Sequence, residues 1–325
     1  MPPRGKPMHD NQLEVTAATV SRLVRDQFPE WAGLPVSEVP SHGTVNAIFR
    51  VGADLVARLP LQDGEVEAQR GELLREMQAA HTLLSTSPVT TPEPVALGEP
   101  GAGYPLPWSV YRWVPGSIAQ GTSAADTSRF AEQLAAFVLA IRSLPTGGRT
   151  FHGTRRGGRL TQHDESVATG LRRSEGLIDT VALADLWDRL RRTPRSDPDT
   201  WTHGDLMPGN LLVVGRDLSG VIDVGQLAVA DPALDLQPAW NLFTPGPRAT
   251  YRQALACDDD EWDRGRGWAL AQAIGCLWYY RETNPVMSRT AHRTLQALLE
   301  ADEPDRVAGR PTLLRSADEE AEGVA

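Results

Sequence analysis

WTHGDLMPGNLLVVGRDLSGVIDVG, residues 201–225, is the stretch that decides how the rest of this chain is read. It holds two apolar runs rich in β-branched residues, 211–214 and 221–224, separated by Gly215, Arg216, Asp217, Leu218, Ser219 and Gly220. Such runs around a Gly-containing turn predict an antiparallel hairpin. With the turn centred near Asp217, Leu211 pairs with Asp223 and Asn210 falls opposite Val224, so Asn210 and Asp223 become neighbours at the hairpin's open end. Asp205 precedes the first strand on a Gly- and Pro-containing loop, where polar backbone is tolerated and a side chain can be aimed at a ligand. Two carboxylates and an amide at one mouth suit two tasks of phosphoryl transfer: accepting a hydroxyl proton and holding magnesium on nucleotide phosphates.

HGDLMPGN (203–210), VIDVG (221–225) and DPALDL (231–236) together resemble the signature of the aminoglycoside phosphotransferase family, relatives of the protein kinases that include macrolide phosphotransferases. The resemblance implies an α+β, protein-kinase-like fold with a small antiparallel-sheet N-lobe and a mainly helical C-lobe. It implies transfer of the γ-phosphoryl group of ATP (or GTP), with Mg2+, to a hydroxyl of a small molecule. An aminoglycoside-type antibiotic is the first acceptor it suggests. A macrolide, another natural product or a metabolite is the alternative, and a non-catalytic nucleotide-binding pseudokinase is a third reading. Carried over by position, Asp205 is the catalytic base, Asn210 a magnesium ligand, and Asp223 the holder of the nucleotide's metal ions. Asp235 matches a position that supports the catalytic loop. His203, two residues before Asp205, reads as a scaffold hydrogen-bonder, and Asp231 before Pro232 as a helix N-cap.

Around this centre the chain divides into an N-terminal lobe (1–115) ending in a hinge, a C-terminal catalytic and acceptor-binding lobe (116–309), and a polar tail (310–325) expected to be disordered. AIFRVGADLVARLP (47–60) predicts two strands joined at Gly52, Ala53 and Asp54. Residues 65–84 predict a helix that buries Leu73, Met77, Ala80 and Leu84. A Pro-rich passage then leads to an apolar strand at 108–114, stopped by Pro115-Gly116. In kinase small lobes a third-strand cation meets the phosphates and a helix carboxylate steadies it. That cation is usually lysine. The single lysine of this chain is Lys6, so the resemblance assigns the role to Arg58, with Glu76 as partner and Glu72, four residues earlier, as its rival. Ser41 to Ala47, SHGTVNA, would be the loop over the phosphates. The hinge would read the base through the Arg112 carbonyl and the Val114 N–H.

The chain has 325 residues and a formal net charge of −10. Its length suits two lobes around a cleft. The charge disfavours nucleic acid and is mildly favourable for cationic substrates. No apolar run approaches the roughly 20 residues a membrane helix needs, and the N-terminus lacks a signal-peptide core, so a cytoplasmic location without membrane partners is expected. Two cysteines, Cys257 and Cys276, make neither a disulfide framework nor a zinc site. A helix is expected over 268–280, apolar on most sides. Acidic groups at Asp164-Glu165, 258–261 and Glu282 would suit an aminoglycoside's ammonium groups, and Trp240, Phe243 and Tyr279 could equally line a macrolide pocket. Helix starts attract acids for their own reasons, so these acceptor contacts stay open. Oligomeric state leaves no trace in the sequence.

Overall fold

The computed structural model describes residues 12–40 and 45–308. Lys6, most of the proposed phosphate loop and the 310–325 tail lie outside them.

The N-terminal part is built on strand pairing. Helix α1 (Ala17–Gln27) opens at Thr16, whose side chain accepts the Thr19 N–H at 3.2 Å, and buries Val20, Leu23 and Val24. Strands β1 (Val36–Glu38), β2 (Asn46–Val51) and β3 (Leu55–Pro60) follow, with Gly52 at φ 62 in the turn between the last two. Helix α2 (Val66–Leu83) leads to β4 (Pro94–Gly98) and β5 (Trp108–Arg112). The strands form one antiparallel sheet in the order β1-β2-β3-β5-β4. Phe49, Val51, Leu59, Trp108 and Val110 pack with the α1 stripe to make its core.

Helix α2 follows the expected span, and its buried face differs from the expected one at its last residue. Leu73 and Ala80 are buried, yet the last inward residue is Leu83, while Leu84 caps the helix and is exposed. Leu83, three residues after Ala80, closes the stripe, and Leu84 points to solvent although its backbone is still helical.

After the short β6 (Ser117–Ile118), helices dominate: α3 (Ser128–Arg142), α4 (Asp164–Arg173) and α5 (Thr180–Leu190). Then come β7 (Thr200–Thr202), β8 (Leu211–Val214), β9 (Asp217–Val221) and β10 (Ala228–Ala230). Helices α6 (Pro238–Asn241), α7 (Pro245–Leu255), α8 (Asp259–Tyr279) and α9 (Pro285–Ala308) complete the fold. The expected 268–280 helix is thus the second half of the longer α8. Phe130 and Phe137 from α3, Trp240, Tyr251 and Trp268 are fully buried at the centre. Trp240 and Phe243 are therefore core residues, not a pocket wall, whereas Tyr279 is exposed. The fold is α+β, with the antiparallel sheet first and the helices after it.

The hairpin forms with a different register from the expected one. Gly215 and Arg216 make a two-residue turn closed by Val214 opposite Asp217, and Gly215 sits at φ 65. A bulge at Leu212/Val213 shifts the pairing, so Leu211 faces Val221 and the Ile222 N–H reaches the Asn210 carbonyl at 2.9 Å. The second strand occupies 217–221, and Val224 belongs to a helical turn, Val224–Gln226.

Candidate active site

Asp223 stands where β9 has ended, with φ 60 and ψ 61. A non-glycine residue in the left-handed region costs about 1 kcal/mol, and aspartate is among the residues that tolerate it. That backbone kink turns its carboxylate toward β3, where Arg58 Nη2 donates to Oδ1 at 3.0 Å. Arg58 Nη1 donates to Glu76 from α2. Of the two candidate partners on α2, Glu76 meets Arg58 and Glu72 is exposed. Arg58 and Glu76 keep 12% and 14% of their side-chain surface, so the pair is largely removed from water. Burial works against the Arg58 charge, but Glu76 and Asp223 outweigh it and hold its pKa above the ordinary value. Burial also pushes the Glu76 carboxyl up, and Arg58 pulls it back. Gly225 backs this pair closely: a Cβ there would lie 3.3 Å from the Glu76 carboxyl carbon.

The loop before β8 is held from behind. The Asp235 carboxylate, fully buried, accepts the N–H groups of His203 and Gly204 at 2.8 Å each. Gly204 takes φ 78, which lets two successive N–H groups point at one anion. His203 is also buried. Its Nε2 meets the Ile222 carbonyl at 3.2 Å and its Nδ1 accepts the Asp205 N–H at 3.3 Å. Loop and hairpin are thereby tied together. Asp231 caps the turn at Pro232–Leu236 through the Ala233 N–H and sits in a buried pair with Arg264.

Asp205 is three-quarters buried and its carboxylate has three donors. Asn210 Nδ2 lies 3.1 Å from Oδ2, Gln272 Nε2 lies 2.9 Å from Oδ1, and Arg156 Nη2 lies 3.2 Å from Oδ1. Asn210 Nδ2 also donates to the Asp205 carbonyl at 2.9 Å, which fixes the amide and turns its Oδ1 the other way. Arg156 and Gln272 were not foreseen from sequence. They come from the α3–α4 connection and from the middle of α8, far from any motif. The available signals were weak ones: a polar Gln272 in the apolar second half of α8, and an arginine set beside Gly157 and Gly158.

At the end of β5 the Arg112 N–H reaches the Glu93 carbonyl and the Trp113 N–H reaches the Asp54 carbonyl, both at 2.8 Å. The Arg112 backbone therefore faces the β4 side, away from β3, and Val114 lies just beyond the strand's end. Val114 is buried against Gly220, where a Cβ would lie 2.6 Å from its side chain.

Three residues of the acidic clusters have structural duties. Asp164 accepts from Trp187 Nε1 and Arg191, Asp258 caps α8 through the Glu261 N–H, and Glu261 pairs with Arg142. Cys257 and Cys276 are free thiols, pushed up by burial to about 12 and about 11, and so are poor nucleophiles at neutral pH. Among the described residues no helix is long and apolar enough to cross a membrane.

Residues 37–317 match the model of the phosphotransferase enzyme family. The chain belongs to that family. A curated member, aminoglycoside 3'-phosphotransferase of Streptomyces fradiae, is 31% identical over 179 residues, covering 50% of this chain and 59% of the relative. The chain spans about half the length of the curated family members it matches. Among solved structures, APH(2")-IIia in its GDP and kanamycin complex superposes with a TM-score of 0.65 at 22% identity, covering 88% of this chain and 98% of that one. Macrolide 2'-phosphotransferase MphH from Brachybacterium faecium, as apoenzyme, gives 0.57 at 18% identity, covering 86% and 97%. At these identities the two structures share the fold with this phosphotransferase-family chain.

Proposed function

We propose that this protein transfers the γ-phosphoryl group of ATP (or GTP) to a hydroxyl of a small antibiotic-type molecule. The observation that carries the reading is one continuous chain of contacts. Glu76 holds Arg58, Arg58 holds Asp223, and the hairpin backbone joins Asp223's neighbour Ile222 to Asn210, whose amide rests on Asp205. Residues up to 115 bind nucleotide in this reading, and the helical part from 116 receives the acceptor.

Asp205 accepts the acceptor's hydroxyl proton on its carboxylate as that oxygen bonds to the γ-phosphorus and the bond to the β,γ-bridging oxygen breaks. The Asn210 Oδ1 and the Asp223 carboxylate are hard oxygen donors. A pair of them fits Mg2+, which takes few protein ligands and completes its shell with phosphate and water. Bound magnesium supplies neutralisation of phosphate charge. Arg58 steadies the phosphates, and its fork can keep Glu76 while it does so. The Arg112 carbonyl and the Val114 N–H meet the base.

Similarity to aminoglycoside 3'-phosphotransferases makes aminoglycosides the first acceptors to try. The macrolide kinase among the structural neighbours makes macrolides the second. A mass-shift screen of both classes with Mg-ATP tests the reading. The expected product is heavier by one phosphoryl group, about 80 Da from its formula, and is absent with Asp205→Ala. Turnover that survives in that variant would overturn the assignment of the base.

A further inference from the structure

Asp205 meets the acceptor in the phosphotransfer reading, so whatever surrounds its carboxylate meets the acceptor too. The three donors on it are two neutral amides and one guanidinium, from Asn210, Gln272 and Arg156. Arg156 is not a loosely placed surface arginine. The next residue, Gly157, is fastened to the core: its carbonyl accepts the Asp231 N–H at 2.9 Å, and a Cβ on it would lie 2.7 Å from Ala230. Arg156 Nη1 is buried and has no protein partner, which leaves a guanidinium donor to spare beside the proposed base. Arg156 also lies within electrostatic reach of His163 and of Cys276, one helical turn beyond Gln272 on α8.

The wall next to Gln272 carries no charge. A cavity of about 10 Å³, enough for one hydroxyl-sized group, is lined by Met207, Gln237, Asn241, Gln272, Cys276 and Thr294 among others. Gln237 and Asn241 are 1% and 2% exposed. Both side-chain atoms of the Gln237 amide lack a protein partner, and so does Asn241 Oδ1, although Asn241 Nδ2 donates to the Leu206 carbonyl at 3.1 Å. Buried amides with unused donors and acceptors are costly unless something hydrogen-bonds to them. A hydroxyl, which donates and accepts, matches both kinds of atom. An ammonium offers no acceptor, and Arg156, paired with Asp205 at 3.2 Å, neutralises the carboxylate that would otherwise attract it. The acids that sequence suggested for holding an aminoglycoside's ammonium groups include Asp164, Asp258 and Glu261, which are engaged elsewhere.

We propose that Arg156, with the amides of Gln237, Asn241 and Gln272, is the selectivity wall of the acceptor site, and that it selects a hydroxyl flanked by uncharged hydroxyl or carbonyl groups over one flanked by ammonium. The inference rests on the phosphotransfer reading and narrows its acceptor class.

The test uses the full chain, Mg-ATP and a matched pair of acceptors: a polyamine aminoglycoside and its fully N-acetylated derivative, which keeps the hydroxyls and loses the charges. Binding of Mg-ATP by the wild type is measured first, and its failure would count against phosphotransfer itself. Wild type is expected to favour the neutral member of the pair at least tenfold in kcat/KM. Arg156→Gln should bring that ratio down at least tenfold, and Arg156→Lys, which keeps the charge, should preserve most of it. Because the ratio compares two acceptors on one variant, a general loss of activity does not move it. If neither member is phosphorylated, the same ratio is read as Kd by calorimetry on nucleotide-loaded protein. A wild-type preference for the polyamine, a ratio unmoved in Arg156→Gln, or binding of neither compound overturns the proposal.

Discussion

Asn210 rests its side-chain amide on Asp205, with Nδ2 2.9 Å from the Asp205 carbonyl and 3.1 Å from its carboxylate. One residue thereby serves two ends of the proposed reaction. Its nitrogen orients the base, and its oxygen is left for the metal.

Those two duties can be separated by substitution. Asn210→Asp keeps an oxygen ligand but replaces the donor with a second carboxylate beside Asp205. We expect kcat to fall about 100-fold, the scale of a misplaced reacting group, while Mg-nucleotide affinity is retained or tightens. Asn210→Ala should lose both. Single-turnover rates and calorimetric nucleotide titration on the two variants separate the effects, and equal affinity losses in both would argue against a bifunctional Asn210.

Arg58 reaches Glu76 with one nitrogen and Asp223 with the other, which a lysine ammonium would do poorly. Arg58→Lys is therefore expected to raise KM for ATP several-fold. Glu76→Ala leaves a largely buried guanidinium with half-exposed Asp223 as its remaining ion-pair partner and the Tyr111 ring 5.7 Å away. The expected cost is about 3 kcal/mol of stability, readable by urea unfolding, together with weaker nucleotide binding. A change within about 0.5 kcal/mol would show that water replaces Glu76 without penalty.

The proposed site was legible in sequence as far as its short-range order. Asp205, Asn210 and Asp223 lie within one hairpin and its approach, so local rules bring them together. The register was missed because one bulge at Leu212/Val213 and a turn at Gly215-Arg216 shift the pairing by two residues, and bulges leave little compositional mark. Arg156 and Gln272 were invisible for another reason. They lie 49 and 67 positions from Asp205 along the chain, and packing of whole elements, which no local pattern encodes, brings them onto its carboxylate. The buried face of α2 erred by one residue, Leu83 for Leu84, because positions three and four after Ala80 both lie near its stripe and periodicity alone does not choose between them.

Asp235 touches no proposed reactant, yet it holds the loop that carries the base. Replacing it with alanine leaves the His203 and Gly204 N–H groups buried without their acceptor. Two such groups imply a loss of about 3 kcal/mol. Asp235→Asn keeps one acceptor oxygen and should recover part of both stability and kcat. Full activity in Asp235→Ala, measured well below its unfolding temperature, would show that the loop holds its shape without this carboxylate.

His163 gives the fold a pH dependence whose direction follows from its surroundings. Burial, reinforced by the nearby Arg156, holds its pKa below the ordinary 6.5, against smaller opposing effects from a backbone hydrogen bond at Arg155 and from Asp164. Its ring packs edge-on to Trp268 with centroids 5.3 Å apart. Between the ordinary value and the lowered one, the unfolded chain binds a proton that the folded chain does not. Stability therefore rises with pH through that window, and falls as pH drops below about 6.5 until His163 itself protonates in the fold. His163→Gln should flatten this part of the stability-pH curve, measured by urea unfolding between about pH 5 and pH 7.5. Arg156→Gln should do so in part, because it removes one of the two causes. Identical slopes in wild type and His163→Gln would mean that His163 titrates alike in both states, and that Arg156 exerts no field at the ring.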